Sequence, residues 1–225
     1  MNFSVAIDGP AGAGKSTIAK IVAHKFGLMY INTGAMYRAV TFKALDENIS
    51  YKEKDSLVEL MNNLEMHFQN ESLILNGENI NSEINLPLIS KNVSNYAAIP
   101  EVRHKLVALQ QKIAEKYSVV MDGRDIGTVV LKNAPIKFFL TASAEERAKR
   151  RYSELMEKDI IVDFNEILND IIKRDYIDSH RETDPLRKAE DAIEIDSSFM
   201  CIDEVVDKMS QYIVSFLEGN KKEES

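Results

Sequence analysis

A glycine-rich stretch with the sequence AIDGPAGAGKSTIAK occupies residues 6–20 and contains residue types that bind phosphate. Its spacing, Gly9-x-x-x-x-Gly14-Lys15-Ser16, matches the loop that holds nucleotide phosphates in many enzymes. Backbone N–H groups of such a loop and the N-terminus of the following helix attract phosphate oxygens. The lysine of the motif reaches the outer phosphates, and its hydroxyl residue binds Mg²⁺. We therefore predict that Lys15 is catalytic and that Ser16 is a ligand of Mg²⁺.

A second group of chemically active residues lies in SVVMDGRDIGT, residues 118–128, where Asp122 directly follows an apolar strand. In phosphate-loop enzymes a carboxylate at the end of a neighbouring strand faces the Mg²⁺ ion and its waters. Arg124 and Asp125 follow it, so a cation and an anion leave the sheet at the edge where open α/β sheets bind ligands. An ordinary Asp-Gly turn is the simpler interpretation. We predict that Asp122 contributes to the Mg²⁺ site through water.

Further arginines occur at helical spacings. In KRDYIDSHR, residues 173–181, the side chains of Arg174, Asp178 and Arg181 lie within roughly 60° of one another around a helix. In isolation this pattern favours a ladder of ion pairs on a solvated face. Arg38 is the last residue of the stretch INTGAMYR, residues 31–38. It falls on the first turns of a predicted helix, close enough to the sheet edge to reach a bound anion.

A third arginine group lies in SAEERAKRRYSELMEK, residues 143–158, with Arg147, Arg150 and Arg151 at positions i, i+3 and i+4. One interpretation is a solvated helix face. The other is a cationic lid that closes over a transferring phosphate, excludes water and neutralises the developing charge. Because three cations on one face repel one another, the pattern favours an anionic partner.

The composition restricts the class of protein. A formal net charge of −8 over 225 residues argues against a broad nucleic-acid or membrane surface, so a phosphate site must gather its positive charge locally from the arginines. The single cysteine, Cys201, excludes an internal disulfide framework and a multi-cysteine zinc site. The first strand begins by Phe3 and no apolar run approaches membrane-spanning length. We therefore expect a cytoplasmic protein. We also expect a monomer, because no exposed apolar stripe indicates a partner.

Apolar segments and helical patterns alternate along the chain. The segments typical of buried parallel strands are FSVAI (3–7), LMYIN (28–32), SVVMD (118–122), IKFFL (136–140) and AIEID (192–196). Helical periodicity is found over residues 15–26, 100–117, 143–158 and 201–219. This alternation predicts a three-layer α/β/α fold of the P-loop NTPase type around a five-stranded parallel sheet.

One stretch departs from the alternation. EMHFQNESLILNGENINSEI, residues 65–84, has short alternating runs and an Asn76-Gly77 pair that predicts a hairpin turn. We predict a small antiparallel β insertion over about 63–98. The single unit that carries the phosphate loop then consists of a core over 1–62, 99–145 and 168–219, with a helical lid over about 146–167 and a flexible tail over 220–225.

Several of these segments resemble a known family. IDGPAGAGKST, TGAMYR, DGRDIGT, SAEERAKRR and RDYIDSHR occur in the order of the bacterial cytidylate kinases, and the resemblance extends from Val5 to about Ile195. These nucleoside monophosphate kinases transfer the γ-phosphoryl group of ATP to CMP or dCMP. DGRD, RDxxDxxR and the β insertion are more specific than the phosphate loop. The chain has Gly14-Lys15-Ser16-Thr17 where GKGT is commonest and Asn32 where Asp is more frequent, which leaves the role of Asn32 open.

The resemblance also implies roles for individual residues. ATP and Mg²⁺ would be held by the phosphate loop, formed by Gly9, Pro10, Ala11, Gly12, Ala13, Gly14, Lys15, Ser16 and Thr17. The CMP phosphate would be clamped by Arg38 and Arg124, a bidentate task that suits arginine. The nucleoside would contact Thr33, its sugar would contact Arg174 and Asp178, and its base would be surrounded by Ser94, Arg103, Asp125 and Arg181. The transferring group would be covered by Arg150 and Arg151 of the lid, which are catalytic candidates beside Lys15 and Arg124.

Three alternatives remain open. Another nucleoside monophosphate kinase, acting on UMP, AMP or dTMP, shares the whole pattern except the base contacts, which come from the resemblance. A guanine-specific switch would need an N-K-x-D segment, which the sequence lacks. A small-metabolite kinase shares the loop and the sheet, but the insertion at 65–84 and the charged residues of 174–181 favour a nucleotide as acceptor.

Overall fold

The chain folds around two β-sheets. The computed structural model describes residues 3–157 and 159–223. Its strands are β1 (Ser4–Asp8), β2 (Met29–Asn32), β3 (Met66–Gln69), β4 (Ser72–Leu75), β5 (Glu78–Asn79), β6 (Val119–Gly123), β7 (Ile136–Thr141) and β8 (Ile193–Asp196). The central sheet is entirely parallel, with the order β2-β6-β1-β7-β8, and β3, β4 and β5 form a separate antiparallel sheet. The predicted five-stranded parallel sheet and antiparallel insertion are therefore confirmed.

Helices connect and cover these strands. They are α1 (Lys15–Phe26), α2 (Thr33–Asp46), α3 (Lys54–Asn62), α4 (Pro87–Ala97), α5 (Pro100–Lys116), α6 (Ala144–Met156), α7 (Phe164–His180) and α8 (Ile202–Glu223). A 3₁₀ turn spans Glu83–Asn85 and a π-helical turn spans Ile126–Val130. The predicted strands and helices agree with these bounds to within two residues, except that α8 continues past residue 219.

Both faces of the central sheet are buried, which explains its continuous apolar strands. Along β1, Val5 and Ile7 pack in one cluster with α1 and α8, whereas Ala6 packs on the opposite face beside α5 and the π-helical turn. Successive side chains of a strand point to opposite faces, so helices on both sides are needed to bury them. The result is the predicted three-layer arrangement.

The antiparallel insertion depends on local turn chemistry. Asn76 and Gly77 both have positive φ and join Leu75 to Glu78, which pair across β4 and β5. Two central residues with positive φ define the type I′ turn that suits the twist of a hairpin. The insertion also contains α4, which the sequence pattern did not predict and which packs against α2, α5 and α7.

The predicted lid and tail have defined places in the chain. The lid over 146–167 comprises most of α6, the start of α7 and their connection, of which residue 158 lies outside the described residues. The predicted tail begins inside α8, which extends to Glu223, and residues 224 and 225 lie outside the described part. Within the described ranges, no helix is both long enough and apolar enough to span a bilayer.

The central sheet brings three strand ends together. β1 and β2 both pair with β6, and the register places Ile7 and Asn32 opposite Asp122. Asp8 is the last residue of β1, immediately before the phosphate loop. The carboxyl ends of β1, β2 and β6 therefore form one edge from which the site is built.

Gly9 lies in close contact with β7 at this edge. Its φ is 150°, and a Cβ atom there would lie 1.9 Å from the carbonyl oxygen of Leu140, which β7 cannot easily withdraw because β7 pairs on both sides. We expect Gly9→Ala to lower the free energy of unfolding by about 3 kcal/mol or more, measured by urea denaturation. Gly219→Ala is the control, because a Cβ there meets no atom within 4 Å and alanine favours a helix by about 1 kcal/mol. Equal stability of Gly9→Ala and the unaltered protein would contradict the described turn.

Candidate active site

A charged cleft opens at the carboxyl edge of the central sheet. Its lining comes from the phosphate loop, α2, α4, α5, the end of β6 and α7. Among the described lining residues, six are cationic and three are carboxylates: Lys15, Arg38, Arg103, Arg124, Arg174 and Arg181, with Asp122, Asp125 and Asp178. The excess of positive charge, in a chain that is acidic overall, makes this cleft suited to anions.

The phosphate loop supplies one wall of the cleft. Gly14 caps α1 in a left-handed conformation (φ 87°) and no side chain caps the helix, so the first N–H groups of α1 remain available to an anion. The Lys15 Nζ atom donates to the carbonyl oxygen of Pro10 at 2.6 Å. Burial lowers the pKa of Lys15 well below its usual range, and the positive charge of Arg124 adds to this effect. A phosphate beside Lys15 would favour its charged form.

Asp122 is held in place by three contacts. Ser16 and Tyr30 donate hydroxyl hydrogen bonds to its two carboxylate oxygens, at 2.8 and 2.9 Å, and Thr33 donates to its carbonyl oxygen at 2.7 Å. The Ser16 hydroxyl and the Asp122 carboxylate are thus adjacent, as the predicted Mg²⁺ ligands should be. The described residues contain no group of three His, Cys, Asp or Glu side chains that could hold a metal. This pair fits an ion that takes most of its ligands from phosphates and water.

Two arginines of the cleft each have a buried N–H donor with no acceptor among the described residues. The Nε atoms of Arg38 and Arg174 are buried and have no hydrogen-bond partner within the described part of the chain. Burial lowers the pKa of Arg174 to about 10, and burial also lowers the pKa of Arg38. A buried donor without an acceptor is costly, so this geometry calls for an anionic acceptor in the cleft.

Asp178 connects α7 to the other elements of the cleft. Its oxygens accept hydrogen bonds from Ser94 of α4 at 2.9 Å and from the Arg124 Nε atom at 2.8 Å. Burial would raise the pKa of Asp178, but Arg124 and Arg174 outweigh it and lower that pKa below its usual value. Asp178 therefore remains ionised and fixes Arg124 in the cleft.

A second charge cluster lies deeper, around Arg103, whose side chain is fully buried. Its guanidinium group contacts Asp125, donates to Asp184 Oδ2 at 3.1 Å, and lies over the ring of Tyr37. Arg181 approaches the other oxygen of Asp125 at 3.5 Å. Arg181 is the residue after the end of α7, so it is placed by the helix terminus and not by a helix face.

Asn32 has a defined role at the start of α2. Its side chain accepts a hydrogen bond from the N–H group of Ala35 at 2.9 Å, so Asn32 is the N-cap of that helix. Thr33 follows as the first residue of α2 and does not cap the helix. Its hydroxyl is instead free to bind the carbonyl oxygen of Asp122.

Most of the predicted residues converge on the cleft, but those of α6 do not. From the phosphate loop Ala11, Gly12, Lys15 and Ser16 line the cleft, whereas the lining does not include Gly9, Pro10, Ala13, Gly14, Thr17, Arg150 or Arg151. Arg150 donates to the Ser197 side chain at 3.2 Å, and Arg151 pairs with Glu154 on its own helix at 2.8 Å. Their predicted catalytic role stays a prediction.

Arg147, the third arginine of that helix, has a different environment from its neighbours. It is buried and donates to the carbonyl oxygens of Ala142 and Ala11, each at 2.9 Å, and it pairs with Asp175 of α7 at 2.6 Å. These partners, rather than a bound anion, satisfy its charge. Arg147 thus joins the phosphate loop to both helices of the predicted lid.

Several functional positions were missing from the sequence-based predictions: Asp8, Tyr30, Tyr37 and Asp184. Asp8 is the clearest, because its two carboxylate oxygens accept the N–H groups of Ile126 and Gly127, each at 2.7 Å. These bonds fix the π-helical turn that follows Arg124 and Asp125. Its position at the end of an apolar strand, like that of Asp122, was a usable signal.

A phosphate loop follows the central strand β1 and faces an arginine-lined cleft. This combination identifies the protein as a phosphate-loop kinase. A family model described as cytidylate kinase matches residues 5–215. The chain belongs to the cytidylate kinase family, as its resemblance to that family implied. It is 70% identical to a cytidylate kinase of Clostridium perfringens (strain SM101 / Type A) over 211 residues, covering 94% of this chain and 97% of the relative.

A second relative supports the same family, and two solved structures have a similar fold. A cytidylate kinase of Clostridium acetobutylicum is 65% identical over 213 residues, covering 95% of this chain and 98% of the relative. Among solved structures, an uncharacterized protein from Eubacterium ventriosum is similar with a TM-score of 0.52 at 18% identity, covering 96% and 99% of the two chains. A gluconokinase from Sinorhizobium meliloti has a TM-score of 0.51 at 13% identity, covering 99% and 98%. These two structures support the fold alone.

The burial of Asp8 predicts that the stability of the protein depends on pH. Burial raises the pKa of Asp8 to about 7 in the folded protein, against its ordinary value of 3.8, although the N–H groups of Gly127 and Ile126 oppose the shift. The folded state therefore binds the proton more tightly, and the stability from this group is lost as the pH rises through about 7. Between pH 6 and pH 8 we expect a loss of about 1.4 kcal/mol in the free energy of unfolding.

Urea denaturation at pH 6, 7 and 8 measures this loss. Asp8→Asn cannot titrate, so the difference between it and the unaltered protein isolates the Asp8 contribution. The exposed carboxylate variant Asp207→Asn should keep the pH dependence of the unaltered protein. An identical pH dependence in Asp8→Asn would contradict the protonation of this group.

Proposed function

We propose that the chain transfers the γ-phosphoryl group of ATP to CMP and dCMP, with ADP and CDP or dCDP as products. Membership of the cytidylate kinase family makes the chain a nucleoside monophosphate kinase. The observation that carries the acceptor site is the pair of buried, unpartnered Nε donors of Arg38 and Arg174 in the cleft that the phosphate loop also lines. A bound nucleoside monophosphate would satisfy both donors, with its phosphate on Arg38 and its sugar on Arg174, and the phosphate would relieve the repulsion between the guanidinium groups.

On the donor side, the loop from Gly9 to Thr17 binds the phosphates of ATP through backbone N–H groups. Lys15 exchanges its hydrogen bond to Pro10 for one to the outer phosphates. Ser16 would hold Mg²⁺ through its hydroxyl and Asp122 would hold it through water, and the ion would neutralise phosphate charge.

On the acceptor side, Arg38 and Arg124 hold the phosphate of CMP, and Arg174, Asp178 and Thr33 contact its nucleoside. Arg124 is preorganised for this task by its hydrogen bond to Asp178. Positioning of this kind provides much of the catalysis in phosphoryl transfer, because the protein does little covalent chemistry.

The base is selected by hydrogen-bonding groups of both kinds. The proposed contacts are Ser94, Arg103, Asp125 and Arg181. Cytosine presents an amino group as donor and ring N3 and O2 as acceptors, whereas uracil presents a carbonyl oxygen in place of the amino group and an N–H donor in place of the N3 acceptor. A carboxylate accepts from the amino group and guanidinium groups donate to N3 and O2, so this set favours cytosine.

Closure of α6 brings Arg150 and Arg151 over the transferring group, where they exclude water and neutralise charge. Transfer is direct and in line, without a phosphorylated residue on the enzyme. We further propose that the enzyme works in the cytoplasm as a monomer. The net charge of −8 supports the absence of nucleic-acid and membrane partners.

Removal of the Lys15 charge tests the donor site. Lys15→Ala should reduce kcat by at least about 10²–10³, because a preorganised charge beside the transferring group is lost. A coupled assay of ADP release measures the rate. Lys25→Ala, which removes an exposed lysine of the same helix, should leave it unchanged. Near-normal turnover of Lys15→Ala would overturn the donor assignment, and a trapped phosphorylated residue would overturn direct transfer.

Arg181→Ala tests the base contacts. With one base-contacting guanidinium removed, we expect the ratio of kcat/KM for CMP over UMP to fall by about tenfold or more, since a charged hydrogen bond is lost. The same assay with CMP, dCMP, UMP, AMP and dTMP also decides which monophosphate is preferred. An equal loss of activity toward all five nucleotides would show that Arg181 does not contact the base.

A further inference from the structure

Asp184 lies three residues beyond Arg181 and is part of neither the phosphate loop nor the RDxxDxxR segment. Its backbone is left-handed, with φ 48°, a conformation that is uncommon for residues other than glycine but tolerated by Asp and Asn. The next residues are tied to α7, because the N–H group of Leu186 donates to the carbonyl oxygen of Asp178 at 2.8 Å. Asp184 therefore sits in a fixed turn beside the base-contacting arginines.

This turn lets one residue hold two arginines. The carbonyl oxygen of Asp184 accepts hydrogen bonds from Nε (2.8 Å) and Nη2 of Arg181. The carboxylate of Asp184 accepts from the Arg103 Nε atom at 3.1 Å. The left-handed backbone directs the carbonyl group to one guanidinium while the side chain reaches the other.

The charges of this cluster are balanced only when Asp184 is included. Arg103 and Arg181 both approach Asp125, and their side chains are almost completely buried. Asp125 alone would leave two guanidinium groups sharing one carboxylate. Asp184, whose side chain is 23% exposed, supplies the second negative charge. A buried cation that loses its partner is strongly destabilised, so it would draw the remaining carboxylate toward itself.

We propose that Asp184 is a positioning residue that fixes Arg103 and Arg181 and thereby sets the selectivity for cytosine over uracil, an inference that rests on the proposed function. By neutralising Arg103, Asp184 leaves Asp125 able to accept a hydrogen bond from the amino group of cytosine. Without the Asp184 charge, both arginines compete for Asp125 and the pocket presents mainly donors. Such a pocket loses the acceptor that the cytosine amino group needs and gains donors that suit the uracil carbonyl oxygen, so the preference for cytosine falls.

Asp184→Asn is the test variant. Asparagine keeps the size of the side chain and tolerates a positive φ, so the turn and its carbonyl group are retained while the charge is removed. Asp184→Ser is a second variant with the same loss of charge, in case the first does not fold. Asp191→Asn is the matched control, because Asp191 also pairs with a buried cation, Lys137 at 2.8 Å, but lies outside the cleft lining.

The measurements are kcat and KM for CMP, UMP and ATP, with calorimetric titration of CMP and UMP as a readout independent of turnover. For Asp184→Asn we expect the CMP to UMP ratio of kcat/KM to fall by about tenfold, through a higher KM for CMP, because a charged hydrogen bond is lost. The KM for ATP should change by less than about twofold, since Asp184 is not in the phosphate loop. Asp191→Asn should keep the original ratio.

Failure of the inference and failure of the proposed function give different results. If the unaltered protein prefers CMP and both Asp184 variants keep that preference, the role of Asp184 is wrong and the proposed function stands. An equal weakening of CMP and UMP binding would also overturn the inference, because it would indicate a purely structural role. If the unaltered protein shows no preference for CMP over UMP in turnover or calorimetry, the proposed function fails and the inference falls with it.

Discussion

Repulsion between like charges is the constraint on which this site depends. Six cationic side chains line one cleft, and each would move apart from the others if nothing restrained it. The restraint comes from carboxylates that each contact two elements: Asp178 contacts Ser94 and Arg124, and Asp125 contacts Arg103 and Arg181. The arginines are therefore held ready for anions before any substrate arrives, which lowers the reorganisation needed for catalysis.

The same constraint explains how an acidic protein can bind two anionic nucleotides. The net charge of −8 is distributed over the whole surface, where water and salt screen charges beyond roughly 8 Å. The cleft is much less screened, because its guanidinium groups are largely buried, and burial strengthens each local interaction. The field that a phosphate meets inside the cleft is thus governed by the lining residues and not by the average composition.

The sequence predicted those parts of the structure that depend on local patterns. The phosphate loop, the strands and Asp122 were predictable because their spacing follows from backbone geometry and from where parallel strands end. The cluster of Arg103, Asp125 and Arg181 came only from the resemblance, since its members are brought together from α5, the segment after β6 and the end of α7. Asp184 belongs to no motif, because its effect depends on a backbone conformation that a sequence pattern does not reveal.

Arg147 shows most clearly why charge spacing alone is ambiguous. Its position on α6 is equally consistent with a solvated face, a lid and a buried tether, and the structure shows a tether to Ala11, which is 136 residues away in sequence. Because the same guanidinium also pairs with Asp175, the phosphate loop, α6 and α7 meet at one side chain. On the other side, Asp8 binds the N–H groups that follow Asp125. Any closing movement of α6 and α7 must therefore either carry the loop with it or break a buried charged hydrogen bond, which links lid position to the geometry around the transferring phosphate.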